Sequence, residues 1–282
     1  MQQLKEQHIK LNDVNIFVKT MGHGEPLIFL HGGPGDEHKY FLPHVEPLSN
    51  DFTLIFYDQS GCGQSGTSEN YSMEQEIEIL EALRQKLGIQ KMNVLGQSWG
   101  TILGLLYATT YPDHVNKLML VSAVGATGEG FKAFSKELRD RLSNYDSNQL
   151  KKLEENYNER LKSDPDQLIK EFTQITDPYY VHNIENLKRK IDTKINVKVN
   201  SILSEEILKN YDVRKYLSLL KEIPILILQG NDDLFTPKMV EQNLLEYLPH
   251  AEFVVFPFSG HWPFLEETKE FNDVTKLFFE DS

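Results

Sequence analysis

A chain of 282 residues, 40% hydrophobic and 25% charged, has the make-up of a folded domain able to bury a sizeable core. A formal net charge of −13 argues against nucleic acid as a partner, because phosphate binding needs a basic face. The single cysteine, Cys62, leaves no internal disulfide, Met1–Lys10 lacks the apolar stretch of a signal peptide, and no run approaches the roughly 18 apolar residues of a membrane span. A cytoplasmic protein without membrane association is expected.

Apolar residues alternate at Ile9, Leu11, Val14, Ile16 and Val18 around the turn-prone Asn12-Asp13, which predicts an N-terminal antiparallel hairpin. Pro26–Leu30 and Phe52–Tyr57 are continuous apolar runs of the kind buried on both faces of a parallel sheet. The first ends in His31-Gly32-Gly33-Pro34-Gly35, the second in a loop from Asp58 to Ser65. Ser72 with Gln75 predicts a capping box, followed by a helical stripe of Ile77, Leu80, Leu83 and Leu87 that closes at Gly88.

Another apolar run, Met92–Leu95, leads into Gly96-Gln97-Ser98-Trp99-Gly100, and a helical pattern covers Ile102–Thr110. Strand, G-x-S-x-G and helix in succession predict a nucleophile elbow, a sharp turn that lifts a serine hydroxyl clear of the sheet. A further buried run, Lys117–Ala123, completes an alternation of strands and helices that means a mostly parallel sheet with helices on both faces. Residues 124–222 then change character, rich in charged residues with apolar ones at helical spacing. They are read as a helical cap inserted into a core of residues 1–123 and 223–282, where strands resume at Pro224–Gln229 and Glu252–Phe256. A last amphipathic helix is expected over Thr268–Phe279.

A serine nucleophile needs a base and a carboxylate that orients the base. The loops after the two late strands supply Asp232-Asp233 and Gly260-His261, on the rim that carries Ser98. The order Ser98, aspartate, His261 is that of the α/β-hydrolase fold. Asp233 is preferred to Asp232 because G-x-x-D-x-x-x-P is the usual spacing in such hydrolases. The tetrahedral intermediate wants two backbone donors, for which the amides of Trp99 and Gly33 are placed, and His31 is read as a brace for the glycine loop. Gly61-Cys62-Gly63-Gln64-Ser65-Gly66 matches a dinucleotide fingerprint literally, but no helix opens on it, so no nucleotide cofactor is expected. Cys62 has no base placed beside it, and no His/Cys/Asp spacing suggests a metal site.

With H-G-G-P-G, then Tyr57-Asp58-Gln59-x-Gly61-x-Gly63-x-Ser65, then Gly96-Gln97-Ser98-Trp99-Gly100, the chain resembles the prolyl aminopeptidase (proline iminopeptidase) family, densely over about residues 25 to 122 and again at the Asp233 and His261 loops. The resemblance implies an α/β-hydrolase with a helical cap that removes N-terminal residues, often proline, from short peptides. It also implies Ser98, Asp233 and His261 as triad and Gly33 and Trp99 as oxyanion donors. Members of the family anchor the substrate's amine with glutamates, one of which in some members directly follows the catalytic aspartate. Here Leu234 stands at that place, which leaves Glu185, Glu205 and Glu206 of the cap as candidates.

Trp99, Phe235, Trp262 and Phe264 are expected to line the site, where they suit a prolyl or a hydrophobic acyl group. A carboxylesterase or lactonase on a small hydrophobic ester is therefore the second reading. A hydrolase-fold protein that only binds a ligand in this pocket is the third.

Overall fold

The structure, a computed structural model, describes residues 4–280. Eight strands, β1 (Lys5–Leu11), β2 (Val14–Gly22), β3 (Glu25–Leu30), β4 (Phe52–Tyr57), β5 (Met92–Gln97), β6 (Val115–Val121), β7 (Ile225–Gly230) and β8 (Glu252–Phe256), form one sheet in the order β1-β2-β4-β3-β5-β6-β7-β8. β2 is antiparallel to β1 and β4, and every later pairing is parallel. The hairpin turns on Asn12 and Asp13 at φ of 44° and 67°, the left-handed pair that a two-residue loop requires. This is the α/β-hydrolase fold read from the alternation of strands and helices.

Among the described residues ten α-helices accompany the sheet. α1 (Met73–Lys86), α2 (Trp99–Thr110), α8 (Pro237–Asn243), α9 (Pro263–Glu266) and α10 (Thr268–Glu280) follow its strands. α3 (Gly128–Arg141), α4 (Asn144–Glu155), α5 (Tyr157–Ser163), α6 (Pro165–Thr176) and α7 (Val197–Asn210) all lie between β6 and β7. Among the described residues no helix is long and apolar enough to cross a membrane.

The two-residue period of the strands sorts the core into two layers. Ile28, Leu30, Val94, Leu118 and Leu120 pack with Ile79, Leu83, Ile102 and Leu103 of α1 and α2. Leu27, Phe29, Phe56, Leu95 and Met119 pack on the other face with Phe264, Phe271 and Phe279. Each fully buried large side chain contributes roughly 1.5–3 kcal/mol. With both faces covered, β5 and β7 are buried along their whole length, which is why their sequences are mainly apolar without an alternating polar face.

Two local expectations need correction. Ser72 caps α1 by accepting from Gln75 N at 3.1 Å, but the Gln75 side chain turns away to Ser68 Oγ at 2.7 Å, so the reciprocal half of a capping box is missing. The buried stripe of α1 runs through Met73, Glu76, Ile79, Leu80 and Leu83, with Ile77 only half-buried. The chain between β6 and β7, expected as an insertion over 124–222, leaves and returns at one place. Thr127 pairs with Asp212, and Gly128 N donates to Tyr211 O at 2.8 Å. Arg214–Leu220, at the end of that range, packs against α2.

Glu76 is a carboxyl on an apolar face, bonded to the Ser60 hydroxyl, and burial pushes it up to about 7. An acid raised in the folded state contributes stability that is complete while both states are protonated. That stability is lost as pH rises from the ordinary value of 4.5 through 7. Glu76→Gln is therefore expected to raise Tm by several degrees at pH 8 and by much less at pH 5. A Tm difference independent of pH would show that the carboxyl is not strained by its burial.

Candidate active site

β5 ends at Gln97 and α2 begins at Trp99, so Ser98 alone makes the turn, at φ 54° and ψ −119°. A non-glycine residue at such angles costs on the order of 1–3 kcal/mol and persists only where its surroundings hold it. Ser98 N donates to Val121 O at 3.0 Å, and Ser98 O accepts from Thr101 N at 2.8 Å and Thr101 Oγ1 at 2.6 Å. The flanking glycines let three backbones meet: a Cβ at Gly96 would lie 2.2 Å from Gly100 O, and one at Gly100 would lie 2.1 Å from Leu30 O. From Met92 to Leu105 every residue is buried except Ser98, which is partly exposed. The turn offers its hydroxyl outward.

Asp233, fully buried beyond β7, accepts from His261 Nδ1 with both carboxylate oxygens at 3.0 Å. Gln229 Nε2 (2.9 Å) and Phe235 N (3.1 Å) also donate to it, so the buried charge is met by three donors. Arg141 of α3 steadies this loop from outside by donating to the carbonyls of Asp232 (2.7 Å) and Asp233 (3.0 Å). The Asp232 side chain points the other way and contacts His182.

His261 is only 3% exposed, and its backbone is tied on both sides. Its N–H donates to Tyr180 O at 2.6 Å. Its carbonyl accepts from Gln97 Nε2 at 3.0 Å and Ser122 Oγ at 2.9 Å. Gln97 precedes Ser98, so the histidine loop is fastened directly to the serine turn. With Nδ1 given to Asp233, Nε2 is the ring nitrogen left for chemistry.

The loop after β3 passes beside this turn. A Cβ on Gly32 would lie 3.2 Å from Ser98 Cβ. The Gly32 N–H is already used, donating to Tyr40 Oη at 2.5 Å, and that hydroxyl donates onward to Gln97 Oε1 at 2.9 Å. Gly33 comes next, exposed and at φ 115°. Trp99 opens α2, so its N–H has no partner within the helix. His31 bridges two loops: Nε2 accepts from Gln59 N at 3.0 Å, so Nδ1 carries the proton and donates to Gly32 O at 3.0 Å. Burial holds this imidazole down at about 4, a neutral brace.

Residues 25–268 match the alpha/beta hydrolase fold family. The chain belongs to that family. A proline iminopeptidase of Lactobacillus helveticus is 31% identical, over 87% of this chain and 86% of its own. An alpha/beta fold family hydrolase from Bacillus anthracis superposes with a TM-score of 0.79 at 25% identity, covering 99% of this chain and 100% of that one. A thermophilic esterase from Thermogutta terrifontis reaches a TM-score of 0.77 over 98% of both chains at 20% identity, which speaks to the fold alone. The protein is a hydrolase, similar to the proline iminopeptidases.

Several residues expected at the site of this hydrolase lie elsewhere. Phe235 is fully buried, its backbone bracing Asp233 and its ring against Gly125, and Phe264 sits in a core cluster with Phe41 and Phe271. The Trp99 indole is buried too, donating to Gln59 Oε1 at 2.7 Å. Glu185 and Glu205 are exposed and pair with Lys188 and Lys209, one turn along, while Glu206 accepts from Met73 N at 2.8 Å and caps α1. These three carboxylates are engaged there and not with Ser98, Asp233 or His261.

Trp262 does stand beside His261, half-buried and stacked on Tyr180 with ring centres 5.3 Å apart. Sequence reasoning missed Phe134 and Tyr180, whose rings cover His261 at 4.9 and 5.4 Å. It also missed Gln97 and Gln229, although a glutamine closing an aliphatic strand was a readable signal. Asp36 was missed as well. Its Cβ is 3.4 Å from where a Gly33 Cβ would be, it is bonded to Thr193, and burial pushes its carboxyl up to about 6.

The close approach at the elbow has a direct test. Gly100→Ala is expected to lose several kcal/mol of stability, because a methyl 2.1 Å from the Leu30 carbonyl forces β3 and α2 apart. Gly104→Ala, one turn along, would come no closer than 3.3 Å, to the side-chain Cδ1 of Leu118, and should melt within a few degrees of the parent. Equal melting temperatures for the two variants would contradict the packing.

Proposed function

We propose that this hydrolase works through a Ser98–His261–Asp233 triad and an acyl-enzyme, as an aminopeptidase releasing N-terminal proline or a similar residue from short peptides. The observation that carries the chemistry is the Asp233–His261 pair, tied through Gln97 to the serine turn. The kinship with proline iminopeptidases carries the substrate class. A cytoplasmic location, with no nucleic-acid or membrane partner, belongs to the same reading.

His261 Nε2 takes the Ser98 proton as Oγ attacks the scissile carbonyl. The oxyanion is held by the amides of Gly33 and Trp99, and Asp233 stabilises the imidazolium that forms. Collapse breaks the C–N bond, and the leaving amine takes the proton from His261. Water, deprotonated by the same nitrogen, then hydrolyses the ester and restores Ser98. Phe134 and Tyr180 exclude water from the histidine, which strengthens each of these interactions.

In this reading the substrate's ammonium is met by Asp36 beside Gly33, since Glu185, Glu205 and Glu206 are engaged elsewhere. An esterase on a small acyl ester is the second reading, favoured by Leu234 at the place of an anchor and by the apolar Phe134–Tyr180–Trp262 surface.

Turnover of prolyl-p-nitroanilide, its N-acetyl form and p-nitrophenyl butyrate, compared side by side, separates the two. The aminopeptidase cleaves the free-amine substrate fastest and neglects the acetylated one, whereas butyrate turnover alone makes the protein an esterase. Ser98→Ala is expected to lower kcat by at least about 10³-fold and to abolish fluorophosphonate labelling. Residual turnover above a few per cent would remove the serine from the mechanism.

Asp36→Asn should raise KM for prolyl-p-nitroanilide roughly tenfold, the loss of one charge-assisted bond, and leave the butyrate unaffected. Because the carboxylate forms only above about 6, amine capture weakens as pH falls. The prolyl KM should rise below pH 6 in the parent and stay flat in the variant. A parallel pH profile would free Asp36 of the role.

A further inference from the structure

The amide of Gly33 sits in a run of glycines that cannot hold itself still: His31 is followed by Gly32, Gly33 at φ 115°, Pro34 and Gly35 at φ 91°. An oxyanion donor must nevertheless be fixed to within about half an ångström. Upstream of Gly33 the clamp is Tyr40, whose hydroxyl accepts the Gly32 N–H. Downstream it comes from the chain between β6 and β7. Asn200 Nδ2 donates to Pro34 O at 2.8 Å, Asn196 N donates to Gly35 O at 2.8 Å, and Lys194 N donates to Glu37 Oε1 at 3.1 Å. Asn196 Nδ2 also reaches Gly61 O at 2.7 Å, so the neighbouring Asp58–Ser65 loop is fastened to the same point.

The platform that carries these donors is rigid. Val199, Leu203 and Ile207 bury one face of α7 in the core, and Asn196 caps the helix with bonds from Lys198 N and Val199 N. The first turn of α7 presses on the loop backbone so closely that a Cβ at Gly35 would lie 2.6 Å from Asn196 O and 3.3 Å from Asn200 Cβ. The two peptides of Gly33 are thus bracketed: the one before them is pinned by a core tyrosine, the one after them by an asparagine of α7.

We propose that Asn200, with Asn196 behind it, is a positioning residue for oxyanion stabilisation, holding the Gly33 amide through the Pro34 carbonyl. The inference rests on the serine-hydrolase reading above. Asn200 touches no reacting atom. Its bond matters most when negative charge develops on the substrate oxygen, because a drifting donor weakens the transition state more than the ground state.

The test uses Asn200→Asp, which keeps shape but replaces the donor with an acceptor, and Asn200→Ser, which shortens the side chain without adding charge. Either serves if the other folds poorly. Kinetics are measured on whichever of prolyl-p-nitroanilide and p-nitrophenyl butyrate the parent cleaves, with melting temperature as the control for folding. Phenylboronic acid supplies a tetrahedral adduct on the serine.

The expected result is a fall in kcat of roughly tenfold with KM within twofold, matched by an equal rise in the inhibition constant of phenylboronic acid. A merely structural bond would lower the melting temperature and move neither ratio. A KM rise at unchanged kcat, or kcat and boronate affinity within twofold of the parent, overturns the proposal. If Ser98→Ala is inactive while the Asn200 variants match the parent, this inference alone fails. If Ser98→Ala stays active, the serine reading fails first.

Discussion

The contact on which the rest of the site depends is the approach of the Gly100 backbone to the carbonyl of Leu30, closer than any side chain would allow. It brings the start of α2 against the end of β3, so the serine turn and the glycine loop share one wall. The left-handed turn at Ser98 follows from it, because a chain leaving β5 must reverse within one residue to enter a helix held that close. The strain is repaid by a shell of backbone bonds from Val121 and Thr101 and by two hydrophobic layers that immobilise β3, β5 and β6.

Around that turn the loops are joined mainly by neutral amides. Gln59 bonds to His31 and the Trp99 indole, Gln97 joins Tyr40 to the His261 carbonyl, and Gln229 reaches Asp233, Phe235 O and Ala123 N. An amide both donates and accepts, so one glutamine satisfies groups from two or three loops without bringing in a charge that burial would penalise. Asp233 then keeps a field with His261 as its bonded base, while Arg141 supplies rigidity through carbonyls instead of competing for the carboxylate. The division gives the imidazole a fixed tautomer and leaves Nε2 without a claim from Asp233.

The sheet was legible because each strand buried on two faces must be an unbroken apolar run and each turn between strand and helix carries its own residue signature. Met92–Gln97 and Ile225–Gly230 fall within a few residues of their expected bounds for this reason. The glycines beside Ser98 and the aspartate and histidine loops after β7 and β8 were legible for a related reason, since their positions are set by the backbone. What escaped the sequence depends on long-range partners. Glu76 lies at an apolar position of α1 because Ser60, sixteen residues away, meets it there. Phe235 and Phe264 looked like pocket residues only because they follow closely on Asp233 and His261 in the chain, whereas both side chains turn away, into the core. Glu185 and Glu205 have lysines one turn along, the spacing of an ordinary solvated helix pair.

The chain between β6 and β7 was the least legible part, and in the proposed function it is where the chemistry acquires its selectivity. Its helices are amphipathic in a way that many sequences satisfy, so periodicity alone does not say which face meets the core. The structure answers with a few contacts: Phe134 and Tyr180 on the His261 ring, Lys190 paired with Asp177 and lying over the Trp262 ring at 4.9 Å, and Asn196 and Asn200 on the glycine loop. These contacts reach His261, Trp262 and the loop beside Ser98, so under the proposed mechanism a change in this segment acts on binding and on rate together. The frame of Ser98, Asp233 and His261, set by backbone geometry, can on that mechanism stay constant while substrates change. A segment that both walls the site and clamps its glycine loop cannot be exchanged without retuning the chemistry it covers, which makes it the place where kinship in fold ceases to imply kinship in substrate.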